Sequence, residues 1–303
     1  MANNSVLVFG SVAYDCIETP FDKADYILGG AASYAALACS FFAPTKILGV
    51  VGGDFNENDL KRLAARGIDT AGLEIKSEGK TFFWRGKYHT NFNKRDTTEV
   101  SVNVYENYMP KIPEQLKACD YLLLGNIDPN NQTHVLDAVS KPKFTVLDTM
   151  NLWIEIANQP LRELFSRVDL LIINEEEAMQ LTNESNLLLC GDILRGMGVK
   201  TLIIKKGEHG SMLFHEDGFF TIPAYPVRTL HDPTGAGDSY LGALIGYIAQ
   251  KDKSDFKTIK EAIVYATAVA SITVESFSCY KLESAGIEEI ERRVAHLKDI
   301  TSL

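Results

Sequence analysis

The run His231-Asp232-Pro233-Thr234-Gly235-Ala236-Gly237-Asp238 sets two carboxylates on either side of a Gly-Ala-Gly turn. Glycines at 235 and 237 let backbone amides approach a ligand with no side chain in the way. The small and apolar stretch after it, 241–250, reads as a helix whose first turn this loop forms. Free amides there, with the positive end of the helix, make an anion site. Asp238 is out of place in such a cradle, because a carboxylate repels a phosphate. Two uses account for it: accepting the proton of a nucleophilic hydroxyl, or capping the helix. The glycine pair and the second carboxylate, Asp232, weigh toward the first.

Three further groups carry chemistry at short spacing. Asn174 and Glu177, three residues apart at the end of an apolar run, can face one cleft and hold a hydrated Mg²⁺ or a water network beside phosphate. The same spacing also fits an N-capped surface helix with acidic residues in its first turn. Lys205-Lys206-Gly207-Glu208-His209-Gly210 closes another apolar run. Its two glycines suit a close approach to a nucleotide and Lys205 suits a phosphate, although a β-turn with solvated lysines fits equally well. Finally, Asp15 follows the first apolar run after Gly10-Ser11, and Gly29-Gly30 precedes a helical stretch.

The elements that must position these residues alternate between short β-branched runs and longer helical patterns. Strands are expected at 6–9, 46–50, 121–124, 144–147, 170–173 and 201–205. They are nearly continuous in apolar character, as strands covered by helices on both faces are. Helices are expected at 31–42, 57–66, 131–139, 160–166, 175–182, 187–197, 237–250, 259–273 and 287–300, with a hairpin or meander after 210. This is the βαβ rhythm of an α/β fold with an open, mainly parallel sheet. Asp15, Asp148, Asn174 and Lys205 all fall at or beyond strand carboxyl ends, which share one edge of such a sheet. The stretch 72–108 breaks the rhythm: 81–88 and 99–105 read as strands around a polar turn. It predicts a small antiparallel lid inserted in a single 1–303 domain, or a plain surface hairpin.

Composition narrows the partners. Thirty basic residues against 40 acidic give a net charge of −10, with no gathered basic patch, so nucleic acid is not expected. Five widely spaced cysteines without a CxxC pair read as reduced thiols, and no apolar run reaches membrane-spanning length. These features, with no signal-like amino terminus, predict a cytoplasmic protein. Gly79-Lys80-Thr81 resembles the end of a P-loop, but Glu74 stands where that motif needs glycine. No GxGxxG follows the first strand, which argues against a nicotinamide-dependent oxidoreductase.

In order along the chain, Gly10-Ser11-x-x-x-Asp15, Gly29-Gly30, Gly52-Gly53-Asp54, Asn174-x-x-Glu177, Lys205-x-Gly207-x-x-Gly210 and Asp232-x-Thr234-Gly235-Ala236-Gly237-Asp238 resemble the ribokinase-like (PfkB) carbohydrate and nucleoside kinases. The resemblance covers essentially the whole chain. It implies ATP-dependent, Mg²⁺-assisted phosphoryl transfer to a small neutral sugar or related polyol, with a nucleoside as the alternative acceptor. It implies Asp238 as general base and the amides of Gly235, Ala236 and Gly237 as an anion hole. Asp15, Gly29 and Gly30 would grip the acceptor. Tyr34 joins them because it stands where sugar kinases of this type usually carry asparagine, and Ala31 where they carry lysine. Asn174, Glu177, Lys205, Gly207, Gly210 and Thr267 would serve ATP, with Asn174 and Glu177 holding Mg²⁺ through water. Asp232 matches a position that binds a monovalent cation such as K⁺, and a lid formed mainly by 72–108, to which the first loop could add strands, would close over the acceptor and pair two subunits. The aromatics Phe82, Phe83, Trp84, Tyr88 and Phe92 could stack on a base, form lid core, or make a dimer seam. A non-catalytic ligand-binding protein on the same scaffold is the reading from another class.

Overall fold

A computed structural model describes residues 4–302. The strands are β1 (Val6–Phe9), β2 (Ala13–Glu18), β3 (Lys23–Gly29), β4 (Thr45–Gly52), β5 (Asp69–Lys76), β6 (Phe82–Tyr88), β7 (Arg95–Ser101), β8 (Tyr121–Leu124), β9 (Phe144–Asp148), β10 (Leu170–Asn174), β11 (Thr201–Lys205), β12 (Ser211–His215) and β13 (Gly218–Ile222). Nine of them make one sheet in the order β13-β12-β11-β10-β9-β8-β1-β4-β5. Pairing is parallel from β5 to β11, and the β11-β12-β13 edge is antiparallel, which is the meander expected after residue 210.

Alternation along β1 shows why its residues are all apolar. Val6 and Val8 enter one core with Ala32, Leu244, Val269 and Ile290, while Leu7 and Phe9 enter another with Val135, Leu164, Ala178 and Leu194. The helices Ala31–Cys39, Ala236–Lys251, Phe256–Thr273 and Ile287–Thr301 therefore cover one face, and those at Pro129–Ala138, Asn158–Phe165, Glu175–Thr182 and Leu187–Gly196 cover the other. This α/β fold, a mainly parallel sheet with helices on both faces, is the one expected from the sequence. All five cysteines are buried and free. No helix among the described residues is long and apolar enough to cross a membrane.

The sheet expected to form the lid does take strands from the first loop, and in equal share with 72–108. It is a four-stranded sheet in the order β3-β2-β6-β7, so half its strands come from 13–29 and not from 72–108. Asp69–Lys76 pairs with β4 and belongs to the large sheet. The second expected lid strand, 99–105, ends at Ser101; Asn103–Tyr105 is a 3-10 turn whose Val104 turns inward to the core. β2 runs parallel to β6, so a segment read as a loop after the first strand is pinned by residues about seventy positions away. The short helices Glu114–Lys117, Asn151–Ile156 and Tyr280–Ser284 have no counterpart among the expected elements, being too brief to show a period.

β1 is where the strand order turns: β4 lies on one side of it and β8 on the other. A crevice opens at the strand ends beside such a switch point. The lid strands β2 and β3 leave and return at that edge.

Candidate active site

The loop before the Ala236–Lys251 helix builds the centre. Gly235 is the residue before the helix, in the left-handed region with φ 77°, and no side chain caps the helix there. Ala236 N–H donates to Pro233 O at 3.2 Å, whereas the amides of Gly235 and Gly237 meet no acceptor among the described residues. Of the three amides expected to receive an anion, these two stay free.

Asp238 sits half-buried one residue farther on. Burial, together with the neighbouring Asp148 carboxylate, raises its pKa to about 6, against the pull of Lys205 and Arg95. A carboxylate held near 6 is ionised at neutral pH yet basic enough to accept a hydroxyl proton.

Lys205 is the cation among these acids. Its Nζ stands 3.5 Å from Asp148 Oδ1 and 3.1 Å from where a Cβ on Gly237 would be. Burial pulls the ammonium's pKa down, but the charges of Asp148, Glu177 and Asp238 outweigh it and hold the group protonated. Strand register causes the convergence, because Asn174 pairs with Lys205 and Ile172 with Asp148. From the sequence Asp148 had no assigned role beyond its strand-end position; a lone aspartate has no local signature.

Asn174 and Glu177 are closed on one another. Asn174 N–H donates to Glu177 Oε2 at 2.8 Å, Asn174 Nδ2 to Glu177 Oε1 at 2.7 Å, and Glu177 N–H to Asn174 Oδ1 at 2.8 Å. The helix-capping alternative is thus present in full. Yet Glu177 is 5% exposed and its pKa is raised to about 7, chiefly by burial, so it is also an inward-facing acid beside Lys205. With each oxygen already accepting one bond, a metal held here through water fits the donors better than direct coordination.

Where the sequence places the acceptor, Asp15, 4% exposed, has its pKa raised to about 8 by burial and by the charges of Asp232 and Asp238. Its carboxylate lies on the backbone of Gly29, where a Cβ would stand 1.9 Å from Oδ2. Gly30 precedes the Ala31–Cys39 helix, and Tyr34 on that helix is buried with its ring against Gly235 and its hydroxyl unpartnered. Asp232 is fully buried: Oδ1 accepts from Thr234 N–H at 2.9 Å and Oδ2 has no partner, which suits a small cation at that oxygen. The described residues contain no cluster of three or more His, Cys, Asp or Glu arranged as a metal site.

A cleft of ≈ 650 Å³ opens on the far side of the loop, lined by Lys205, Gly207, Gly210, Gly237 and Thr267 among others. With Ala236, six site residues expected from the sequence thus share one cavity, while Asp15, Gly29 and Gly30 are not part of its wall.

The β3-β2-β6-β7 sheet brings further groups to the site. Tyr88 OH and Thr234 Oγ1 are 2.9 Å apart, joining β6 to the loop of Asp238. Arg95, opposite Tyr88 in the register, acts electrostatically on Asp15, Glu177, Asp232 and Asp238 together. Tyr88 packs with Ile17 and Ile27 in a small lid core, against which Trp84, Phe92 and Phe277 lean, whereas Phe83 joins the main core beside Tyr26.

The sequence profile of the pfkB family carbohydrate kinases matches residues 3–285. A cytidine kinase from Thermococcus kodakarensis is 29% identical over 248 residues, covering 80% of this chain and 88% of its own length. Among solved structures, a ribokinase from Giardia lamblia superposes with a TM-score of 0.81 at 17% identity, over 97% of this chain and 99% of its own. The ribokinase of Arabidopsis thaliana, solved with ribose and ATP, gives a TM-score of 0.77 at 19% identity over 97% and 99%.

Proposed function

Because the chain belongs to the pfkB family of carbohydrate kinases, we propose that it transfers the γ-phosphoryl group of ATP to a hydroxyl of a small neutral sugar, with Asp238 as the base. The observation that carries this reading is the pair of free amides at Gly235 and Gly237 beside a carboxylate whose pKa sits near 6, facing the Lys205 ammonium.

The chemistry rests on these groups. Asp238 takes the acceptor's hydroxyl proton as that oxygen bonds to the γ-phosphorus, and the bond to the β,γ-bridging oxygen breaks with ADP leaving. The amides of Gly235 and Gly237, with Lys205 close by, meet the charge that develops on the transferring group. Mg²⁺ bound with ATP supplies two positive charges, and Asn174 and Glu177 would hold it through water near the buried Asp148. Gly207, Gly210 and Thr267 line the nucleotide's cleft. Asp15, with the Gly29-Gly30 backbone and Tyr34, grips the acceptor. K⁺ is the ion proposed at the orphan oxygen of Asp232. Lid closure keeps water from competing as acceptor.

The neutral sugar can be free or part of a nucleoside. The nucleoside form is favoured by the cytidine kinase relative and by Trp84, which shares a lid face with Asp15 directly opposite it in the register. Exposed Phe21, Tyr26, Val100 and Val102 on the lid and its margin support a homodimer through this sheet, which light scattering on the purified protein tests.

The deciding experiment incubates the protein with Mg-ATP and a panel of neutral sugars, inositols and nucleosides, with Asp238→Asn alongside, and reads products by mass spectrometry. A product heavier by one phosphoryl group in the wild-type lane alone supports the reading and names the acceptor. Saturable binding with no product from any acceptor would favour the non-catalytic alternative.

A further inference from the structure

The large sheet does not by itself close the nucleotide cleft. Thr90, Asn91, Phe92 and Asn93, in the turn joining β6 to β7, form part of its wall together with Lys205, Gly207 and Glu208. Asn93 Nδ2 donates to Glu208 Oε1 at 3.4 Å, and Asn93 Oδ1 stands 3.3 Å from where a Cβ on Gly207 would be. The turn holds its own shape: Asn91 Oδ1 accepts from Asn93 N–H at 3.0 Å, and Lys94 N–H donates to Asn91 O at 2.9 Å. Farther down the same strand Tyr88 meets Thr234 and Trp84 pairs with Asp15. A single β-strand therefore runs from the acceptor's carboxylate, past the loop of Asp238, to the turn that faces the nucleotide.

We propose that the 89–94 turn is part of the phosphoryl-donor site, with Asn93 contacting the bound nucleotide, so that nucleotide and acceptor draw down the same lid. The proposal rests on the assignment of the 650 Å³ cleft to ATP. The chemistry suits the role. Thr90, Asn91 and Asn93 are neutral groups that both donate and accept, fitted to ribose hydroxyls or phosphate oxygens. Glu208 accepts from Asn93 Nδ2, a long and exposed bond that a nucleotide oxygen can replace at little cost. A ligand favours the state in which it has more contacts, and two ligands that favour one state strengthen each other by equal factors. Nucleotide that touches both the 207–210 turn and Asn93 therefore favours the closed lid before any acceptor arrives.

The test uses the full chain and Mg-AMP-PNP, with no acceptor present. Calorimetry is expected to show binding about five- to tenfold weaker in Asn93→Ala than in wild type. Hydrogen exchange of β6, β7 and their turn is expected to slow on nucleotide binding in wild type and much less in the variant. Asn93 is exposed, so the variant's thermal midpoint should match wild type, and in turnover assays the KM for ATP should rise, with a smaller rise in the acceptor KM through the shared lid. Equal affinity in both proteins with unchanged lid exchange would overturn the proposal while leaving the nucleotide cleft intact. Failure of wild type to bind Mg-AMP-PNP would instead remove the cleft assignment, and this proposal with it.

Discussion

The ring of Tyr34 lies directly against Gly235, so close that a Cβ on the glycine would stand 2.3 Å from Tyr34 Cδ1. The floor of the acceptor side and the turn of the anion site are thus one packed unit. Gly235→Ala meets both that clash and a φ of 77°, and is expected to lower the melting temperature and turnover together. Tyr34→Phe removes a buried hydroxyl that has no partner, so stability should hold or rise by about 0–1 kcal/mol. The acceptor KM of that variant should rise several-fold if the hydroxyl meets the acceptor, and an unchanged KM would confine Tyr34 to packing.

Asp238→Asn removes the proposed base but keeps the shape of the loop. Turnover is expected to fall by about 10²–10⁴-fold, with Mg-AMP-PNP affinity nearly unchanged. Steady-state kinetics beside calorimetry separate the two quantities, and a variant as active as wild type would end the assignment.

Asp238 must be ionised to accept a proton, and its pKa is raised to about 6, so kcat/KM should rise with pH through that value and then level off. The charge of Arg95 lowers the pKa of Asp238 and of Glu177, Asp15 and Asp232. Arg95→Gln should therefore move the acid limb to higher pH in a pH–rate profile.

Asp15 carries a raised pKa of about 8, so the folded chain keeps a proton there that the unfolded chain gives up near the ordinary carboxylate value. The stability tied to this group is complete below that ordinary value and is lost as pH climbs through about 8. Asp15→Asn should melt at the wild-type temperature near pH 4 and above it at pH 8, by about 2–4 °C for each kcal/mol recovered. The same variant should bind acceptor more weakly, which melting curves and product assays together reveal.

Asp232 Oδ2 is buried without a partner. If a monovalent cation completes that oxygen, replacing K⁺ by a bulky organic cation in the assay should slow wild type several-fold. Asp232→Asn should then be slow in both buffers.

Much of this site could be read along the chain because its parts are local. The Gly-Ala-Gly turn, the Asn174–Glu177 pair and the 205–210 turn each occupy a few consecutive residues at the end of a strand or the start of a helix. Continuous apolar runs marked the strands. Their placement along one edge comes from parallel pairing, which an alternating strand–helix order implies. The lid was less legible. Its β2 and β3 strands lie among polar and glycine residues with weak alternation, and their partner β6 is far away in sequence.

The order of elements and the parallel sheet were determined by the sequence, since backbone geometry and burial periodicity act over a few residues. Tertiary structure decided which charges share the site. Asp148 comes beside Lys205 only through the register of β9, β10 and β11, and Arg95 reaches the carboxylates only because β7 folds back along β6. Electrostatic energy depends on distance through space, and the chain brings those distances down only when strands far apart in sequence pair side by side.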